Sequence, residues 1–188
     1  GVVFRRYRSR AGLPNQPLLI STSSIALQGA IIHDYLPFLS KVMMADGMLD
    51  SPLRAVLRKG KSHYVCDARL MKRLQTANLD RKNPLAKAAL LSMRDHLDLD
   101  MAPHLSGYDR ERICVPPTCD CGKTECRYLC YLDVCVSERY AIQVCNHNLL
   151  LADAIHRGSG KRPILPDSCA IVIDEAHKLT ETARQMFG

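Results

Sequence analysis

The sequence of 188 residues predicts an α/β fold in which a mainly helical, cysteine-bearing segment interrupts a parallel sheet. Three observations predict this fold. Short apolar runs at 17–24, 141–145 and 170–173 have the length of buried strands, and each is followed by a helical pattern. The stretch 67–97 is polar with Ala- and Leu-rich patches and a helical spacing. Six cysteines then fall within residues 114–135.

The first strand begins at Pro17 and ends in hydroxyl residues, and a helix follows it. Ser23 and Ser24 are the candidate N-caps of this helix, because short hydroxyl side chains accept hydrogen bonds from the first turn. The segment Arg54–Cys66 is interpreted as a strand, a basic turn and a return towards Cys66. The apolar stripe predicted to bury the first helix consists of Ile25, Leu27, Ile31, Ile32, Tyr35, Leu36 and Leu39.

The last strand, Ala170–Ile173, is apolar and β-branched, and we expect it to be buried in a parallel sheet. Asp174 and Glu175 follow it directly, and an amphipathic helix comes next. Ligands of open α/β sheets bind at the carboxyl ends of the strands. One carboxylate there suits Mg²⁺, and a second can orient or deprotonate an attacking water. The preceding strand, Ala141–Cys145, leads into Asn146, His147 and a helix over 149–156.

The composition of the chain indicates the class of its partner and its compartment. The net charge of +7 indicates a polyanionic partner. No apolar run approaches the roughly 18 residues of a membrane span, and the N-terminus lacks a secretory pattern, so we expect a cytoplasmic protein without membrane contact. The chain opens on Gly1, which we interpret as the start of an excised fragment. Basic residues gather at Arg5–Arg10, Arg54–Lys61, Arg81–Lys82 and Arg157–Arg162.

Nine cysteines without an export signal indicate metal or cluster ligation rather than disulfides. The dense stretch lacks the C-x2-C knuckles of most zinc sites, although its x3 and x4 spacings keep zinc possible. A [4Fe–4S] cluster accepts looser loops and one distant ligand, since a single thiolate holds each iron. Cys66 fits that distant position.

Four blocks of this sequence resemble the XPD/DinG family of iron–sulfur superfamily-two DNA helicases. They are Lys59-Gly-Lys-Ser-His-Tyr-Val-Cys66, the clustered cysteines, Val144-Cys-Asn-His-Asn-Leu-Leu-Leu-Ala-Asp153 and Ile173-Asp-Glu-Ala-His177, the last being a DEAH-type Walker B motif. Their order and spacing agree with the family over roughly residues 17–188. The resemblance implies a partial RecA-like sheet of the first motor domain over 1–65 and 141–188, with an iron–sulfur domain inserted at 66–140.

By this resemblance, Asp174 engages Mg²⁺·ATP, Glu175 positions the hydrolytic water and His177 couples the nucleotide to the nucleic acid. The implied activity is ATP-dependent 5′–3′ DNA unwinding in repair or replication. The implied cluster ligands begin with Cys66 and end with Cys126, which precedes an aromatic-bearing helix. Two of Cys114, Cys119 and Cys121 complete the set. The rigid Pro116-Pro117 loop favours Cys119 and Cys121, and Cys114 stays the alternative.

The residues expected to bind single-stranded or forked DNA follow from the same resemblance, with tyrosines such as Tyr64 or Tyr128 expected to stack on bases. Thr22 and Ser23 match a motif at a helix N-terminus, which suits a phosphate. Cys130 and Cys135 are expected to pack on the helix after the ligands, and Cys145 and Cys169 to be buried thiols. The expected DNA contacts are Thr22, Ser23, Lys59, Lys61, Asn146 and His147.

The chain contains no G-x-x-x-x-G-K-[ST] phosphate-binding loop. We therefore expect that the chain by itself neither hydrolyses ATP nor unwinds DNA, and that its partners include the remaining helicase segments: the Walker A segment, the arch and the second motor domain. Two alternatives stay open. One is a zinc-containing nucleic-acid-binding module without motor activity, and the other is a nuclease of the same lineage.

Overall fold

A computed structural model of the chain describes residues 16–76, 84–119, 126–136 and 140–187. The basic clusters Arg5–Arg10 and Arg81–Lys82 and the predicted ligand Cys121 lie outside these ranges. The chain divides into two compact units, of which the first comprises Gly1–Lys59 with Cys135–Gly188 and the second comprises Gly60–Val134.

The first unit is built on a four-stranded parallel sheet in the order β2-β3-β1-β4. Its strands are β1 (Leu18–Ser21), β2 (Ala55–Leu57), β3 (Ile142–Cys145) and β4 (Ala170–Ile173). Leu18 of β1 aligns with Ile142 of β3 and with Ala170 of β4, so the three strands end at the same level. The predicted α/β fold with a parallel sheet is confirmed.

Helices follow three of the strands. After β1 comes one continuous helical stretch made of α1 (Ile25–Ala30), a π-helical turn (Ile31–Tyr35) and α2 (Leu36–Ala45). The side chain of Ser24 accepts a hydrogen bond from Leu27 N at 3.2 Å and caps α1, as predicted. After β3, Asn146 caps the helix His147–Gly158, which therefore begins two residues earlier than predicted. After β4 comes the helix Ala176–Phe187.

The prediction that the last strand is buried was wrong. All four residues of β4 are exposed, and Ile171 and Val172 retain 51% and 48% of their surface. Within the described ranges β4 pairs with β1 and forms the edge of the sheet. An apolar run predicts a strand with two covered faces, but the strand order decides whether neighbours cover it.

The predicted apolar stripe on the first helix is buried only in part. Leu36 packs with Ile142 and Val144 of β3, and Ile31 and Ile32 contact the same cluster. Ile25, Tyr35 and Leu39 are exposed. The π-helical turn Ile31–Tyr35 interrupts the 3.6-residue period within the stripe, so a single period does not describe which of its residues are buried.

One arginine from each of two basic clusters is engaged within the first unit. Arg58 is only 3% exposed and donates to Gln143 Oε1 and to the carbonyl oxygen of Ile164, both at 2.9 Å. Arg157 donates to the carboxylates of Asp153 and Asp167, each at 2.6 Å. These two guanidinium groups therefore hold the fold of the unit together rather than presenting free charge.

The second unit is helical, as predicted for this part of the chain. Its helices are α3 (Asp67–Thr76), α4 (Pro84–Ser92), α5 (Gly107–Ile113) and α6 (Arg127–Cys135). The helices after β3 and β4 in the first unit are α7 (His147–Gly158) and α8 (Ala176–Phe187). The main core of the second unit contains Val65, Leu70, Ala89, Leu90, Met93, Leu99, Ala102, Leu105 and Ile113.

None of the helices in the described ranges has the length and apolar character that a membrane span requires.

A smaller cluster in this unit contains Tyr64, Cys66 and Val115. Tyr64 is 3% exposed, and its ring lies 5.3 Å from that of Tyr128 and 5.1 Å from that of Tyr131. The expectation that Tyr64 stacks on bases was therefore wrong, because its faces are covered by two other tyrosines. Tyr128 is half-buried in the same cluster.

Candidate functional site

The candidate site lies at the carboxyl edge of the sheet, where β4 ends on Asp174. The backbone N–H of Asp174 donates to Ser21 O at 2.9 Å, and the hydroxyl of Thr22 donates to Asp174 Oδ2 at 3.0 Å. Both partners follow or end β1, the neighbouring strand. The adjacent strand end thus holds the half-buried carboxylate of Asp174 in place.

Glu175 adopts a left-handed backbone conformation with φ of +50°. Non-glycine residues avoid this region, which costs of order 1–3 kcal/mol and persists where the surroundings enforce it. The carboxylate of Glu175 lies 3.2 Å from His177 Nε2 and 3.6 Å from Lys178 Nζ. Sequence reasoning missed Lys178, although its i, i+3 spacing from Glu175 is the signal for such a pair.

Buried polar side chains also lie at this edge of the sheet. Ser21 Oγ and His147 Nδ1 are 2.7 Å apart, and Ser21, Thr22 and His147 are at most 2% exposed. In the described part of the chain, His147 Nε2 and Ser23 Oγ are buried without a hydrogen-bond partner. The strand ends of β1, β3 and β4 are therefore joined by a network of hydrogen bonds.

The structure separates the predicted DNA-binding residues into two groups. Thr22 and His147 are buried, and the side chain of Asn146 caps α7, so these three residues order the edge of the sheet. Lys61 is exposed, and its ammonium group donates to the carbonyl oxygen of Pro117. Lys59 is half-buried at the end of the first unit.

Two of the predicted cluster ligands occupy equivalent positions in the second unit. The carbonyl oxygen of Cys66 accepts from Leu70 N at 2.8 Å, and that of Cys126 accepts from Cys130 N at 3.0 Å. Each cysteine is thus the N-cap of a helix, α3 and α6 respectively, and each is buried. Backbone N–H groups at helix N-termini stabilise anions such as thiolates.

An ion pair joins these two helix N-termini. The carboxylate of Asp67 accepts from the Arg127 guanidinium, with Nε to Oδ1 at 2.8 Å, and from the Arg127 backbone N–H at 3.4 Å. Asp67 and Arg127 directly follow Cys66 and Cys126. Residues 66 and 126, which are 60 positions apart in sequence, are therefore brought together.

Cys114 lies opposite Val65 in an antiparallel bridge, and Cys66 N donates to the carbonyl oxygen of residue 113 at 2.7 Å. The Cys114 thiol donates to Glu111 O at 3.3 Å, and a guanidinium nitrogen of Arg69 lies 3.7 Å from its sulfur. Cys114 packs against the main core, whereas Cys66 packs with Tyr64 and Val115. Val65, which lies opposite Cys114, belongs to the main core. Cys66 is the next residue along the same extended segment, so its side chain points to the opposite face.

Cys119 is exposed on the loop after the two prolines, and Cys121 lies outside the described residues. Cys130 and Cys135 lie on α6, as predicted, and Cys135 is buried. The expectation that Cys130 packs was wrong, because this residue is exposed on the helix. In the ranges that the structure describes, no three His, Cys, Asp or Glu side chains converge closely enough to hold a metal ion.

Curated helicases are similar to this chain over nearly all of its length. The ATP-dependent DNA helicase YoaA of Escherichia coli is 28% identical over 191 residues, covering 97% of this chain and 29% of the relative. The ATP-dependent DNA helicase DinG of Photobacterium profundum is 27% identical over 90% of this chain and 26% of the relative. The resemblance to DinG-like helicases is confirmed.

A further DinG-like relative carries a different name. The 3′-5′ exonuclease DinG of Bacillus subtilis is 26% identical over 92% of this chain and 18% of its own length. No family model matches the sequence. The chain spans between 18% and 29% of the length of the curated relatives it matches. The similarity is therefore confined to one segment of each relative.

One cysteine of the DinG-like segment is expected to be chemically inert. Burial raises the pKa of the Cys145 thiol from 9.0 to about 11, although a hydrogen bond from Ser21 and the charge of Arg58 oppose the shift. The thiolate is the reactive form, so iodoacetamide at a pH of about 8 should leave Cys145 unmodified in the folded protein while labelling the exposed Cys130. Peptide mass spectrometry checks this.

Denaturation supplies the control for the Cys145 labelling, because the unfolded chain should react at both cysteines. A folded protein that is modified at Cys145 as fast as at Cys130 would contradict the burial of this thiol. The raised pKa also means that burial of the neutral thiol stabilises the fold below pH 9, and that this contribution is lost as the pH rises through about 11.

Proposed function

We propose that this chain is the iron–sulfur and partial motor segment of an ATP-dependent DNA helicase that translocates 5′ to 3′ and acts in repair or replication. The observation that carries the proposal is the acid pair at the carboxyl edge of the sheet. Asp174 is fixed there by Thr22 and is followed by Glu175 in a strained backbone conformation, within a chain that resembles DinG-like helicases.

The two acids differ in what they can do. Asp174 is half-buried and held by two hydrogen bonds, which suits a carboxylate that keeps one position while Mg²⁺·ATP binds. Glu175 is more exposed and lies beside two basic side chains, His177 and Lys178. An exposed carboxylate is accessible to a water molecule and can accept its proton. Bound Mg²⁺ neutralises charge on the phosphates of the nucleotide.

Two of the cysteine positions support the assignment of a [4Fe–4S] cluster to this segment. Cys66 and Cys126 are both buried N-caps, and the Asp67–Arg127 ion pair holds them near each other. We assign the cluster to Cys66, Cys119, Cys121 and Cys126, with Cys114 as the alternative. Cys114 can take part only if its sulfur leaves Glu111 O and the guanidinium of Arg69.

A cluster bound in this way acts as a structural cross-link, tying together chain segments that α3, α4 and α5 separate in sequence. Of the assigned ligands that the structure describes, Cys66 lies at the start of α3, Cys119 follows α5 and Cys126 lies at the start of α6. A cross-link of this kind gives a small domain the rigidity needed to separate the strands of a duplex. This role needs no change in the cluster's oxidation state.

Contact with DNA is supported by the net charge of +7 and by the exposed Lys61 beside the first cluster ligand. The Bacillus subtilis relative named as a 3′-5′ exonuclease favours the nuclease alternative for the whole protein. A zinc-containing module without motor activity is the other competing function. Neither competitor needs to hydrolyse ATP on DNA, whereas the helicase does. DNA-stimulated ATP hydrolysis therefore distinguishes the helicase from both competitors.

The deciding experiment uses the full-length protein, purified without oxygen. We expect Mg²⁺-dependent ATP hydrolysis that single-stranded DNA stimulates, and unwinding of a fork that carries a 5′ tail but not of one that carries a 3′ tail. The 188-residue chain should show neither activity. Full-length protein without DNA-stimulated ATPase activity would overturn the proposal, and ATP-independent degradation of the substrate would favour the nuclease.

A further inference from the structure

The hydroxyl group of Thr22 connects the strand-end loop to the acid expected to engage Mg²⁺. Thr22 Oγ1 lies 3.0 Å from Asp174 Oδ2 and 3.3 Å from Ser24 N, although residues 22 and 174 are 152 positions apart. Thr22 is fully buried, at 0% exposure. Water therefore does not compete for these two hydrogen bonds, which strengthens both of them.

The direction of the two hydrogen bonds follows from the chemistry of the donors. The backbone N–H of Ser24 can only donate, so the oxygen of Thr22 accepts there. The single hydroxyl proton of Thr22 then points to Asp174, which as a carboxylate can only accept. The relay therefore runs from Ser24 N–H through Thr22 to Asp174, and no other arrangement of protons satisfies all three groups.

The backbone of Thr22 is equally fixed. Its N–H donates to Cys145 O at 3.1 Å, and its carbonyl oxygen accepts from Gln28 Nε2 at 3.4 Å. Ser24, the next member of the relay, caps α1. A displacement of the loop between β1 and α1 must therefore move the hydroxyl of Thr22 and, with it, the carboxylate of Asp174.

From these contacts we propose that Thr22 is a positioning residue for Asp174, through which the β1–α1 loop controls how well this acid engages the metal–nucleotide complex. The inference rests on the proposed function. A partner that orients a carboxylate ligand typically changes metal affinity or activity about 10- to 100-fold when it is removed. In this proposal Thr22 acts through the carboxylate of Asp174.

The test compares Thr22→Val, which removes the hydroxyl at nearly constant shape, with Thr22→Ser, which keeps it. In the full-length protein, Thr22→Val should raise the Mg²⁺ concentration for half-maximal ATPase activity about 10- to 100-fold. Thr22→Ser should stay near wild type. A merely structural role would lower the unfolding temperature without this selective change in the Mg²⁺ requirement.

Thr182→Val is the matched control, because its hydroxyl donates to Lys178 O on the exposed α8 rather than to a functional group. If Thr22→Val does not fold, Thr22→Ala removes the same hydroxyl without placing a second methyl group beside Asp174, and the same shift is expected. An unchanged Mg²⁺ requirement in a folded hydroxyl-free variant overturns this inference while the proposed function stands. A wild-type protein without ATPase activity overturns both.

Discussion

Replacing Cys66 by serine is expected to remove essentially all iron from the protein. Anaerobically purified wild-type protein should be brown, with a broad thiolate-to-iron band at roughly 400 nm and about four irons per chain. Cys66 caps α3 and is held beside Cys126 by the Asp67–Arg127 ion pair, and a serine hydroxyl at this position cannot replace the thiolate that holds one iron. Absorbance spectra with iron and zinc analysis measure the result.

Cys130→Ser is the matched control for this prediction, because Cys130 lies exposed on α6, one turn beyond Cys126. It should retain the iron, whereas Cys126→Ser should lose it as Cys66→Ser does. Comparing Cys114→Ser with Cys121→Ser decides between the two candidate ligand sets, because each of these two cysteines belongs to only one set. Zinc at one per chain that survives Cys66→Ser would contradict the assignment and would move the metal site into residues 114–135.

Glu175→Gln is expected to abolish ATP hydrolysis by the full-length protein while leaving nucleotide binding intact. Glutamine preserves the shape of the side chain and the strained backbone but cannot accept a proton from water. Removing a general base typically lowers the rate about 10²- to 10⁴-fold. Steady-state kinetics should show the loss in kcat, and equilibrium binding of ATP should stay close to wild type.

Glu181→Gln on α8 is the control for Glu175→Gln, since it removes an exposed carboxylate from the helix that directly follows Glu175. We expect full activity from that variant. Substantial ATPase activity in Glu175→Gln would show that another group activates the water. Loss of ATP binding in Glu175→Gln would instead place Glu175 with Asp174 on the metal.

Local patterns were enough to predict most of the elements near the site. The hydroxyl-rich end of β1 and the N-cap at Ser24 were correctly predicted, because capping depends on residues within one turn. The acids after β4 were placed correctly at a strand end for a similar reason. The cysteine-bearing segment was correctly predicted as helical, including the position of Cys130 and Cys135 on α6.

Long-range neighbours decided properties that the local sequence does not specify. Arg58 belongs to a basic cluster in the sequence, yet it is buried against Gln143 and Ile164 O. Tyr64 has the amphipathic character of a base-stacking residue, but Tyr128 and Tyr131 cover it. Neither environment leaves a trace in the residues adjacent to these positions.

The sequence by itself determined the fold class, the places of the acids and cysteines along the chain, and the resemblance to DinG-like helicases, because periodicity and motif spacing are local properties. Only the tertiary structure showed that Thr22 holds Asp174, that Ser21 contacts His147, and that Asp67 and Arg127 bring Cys66 and Cys126 together. These contacts join residues 60 to 152 positions apart. Strand order and helix packing create them, and a one-dimensional pattern does not specify either.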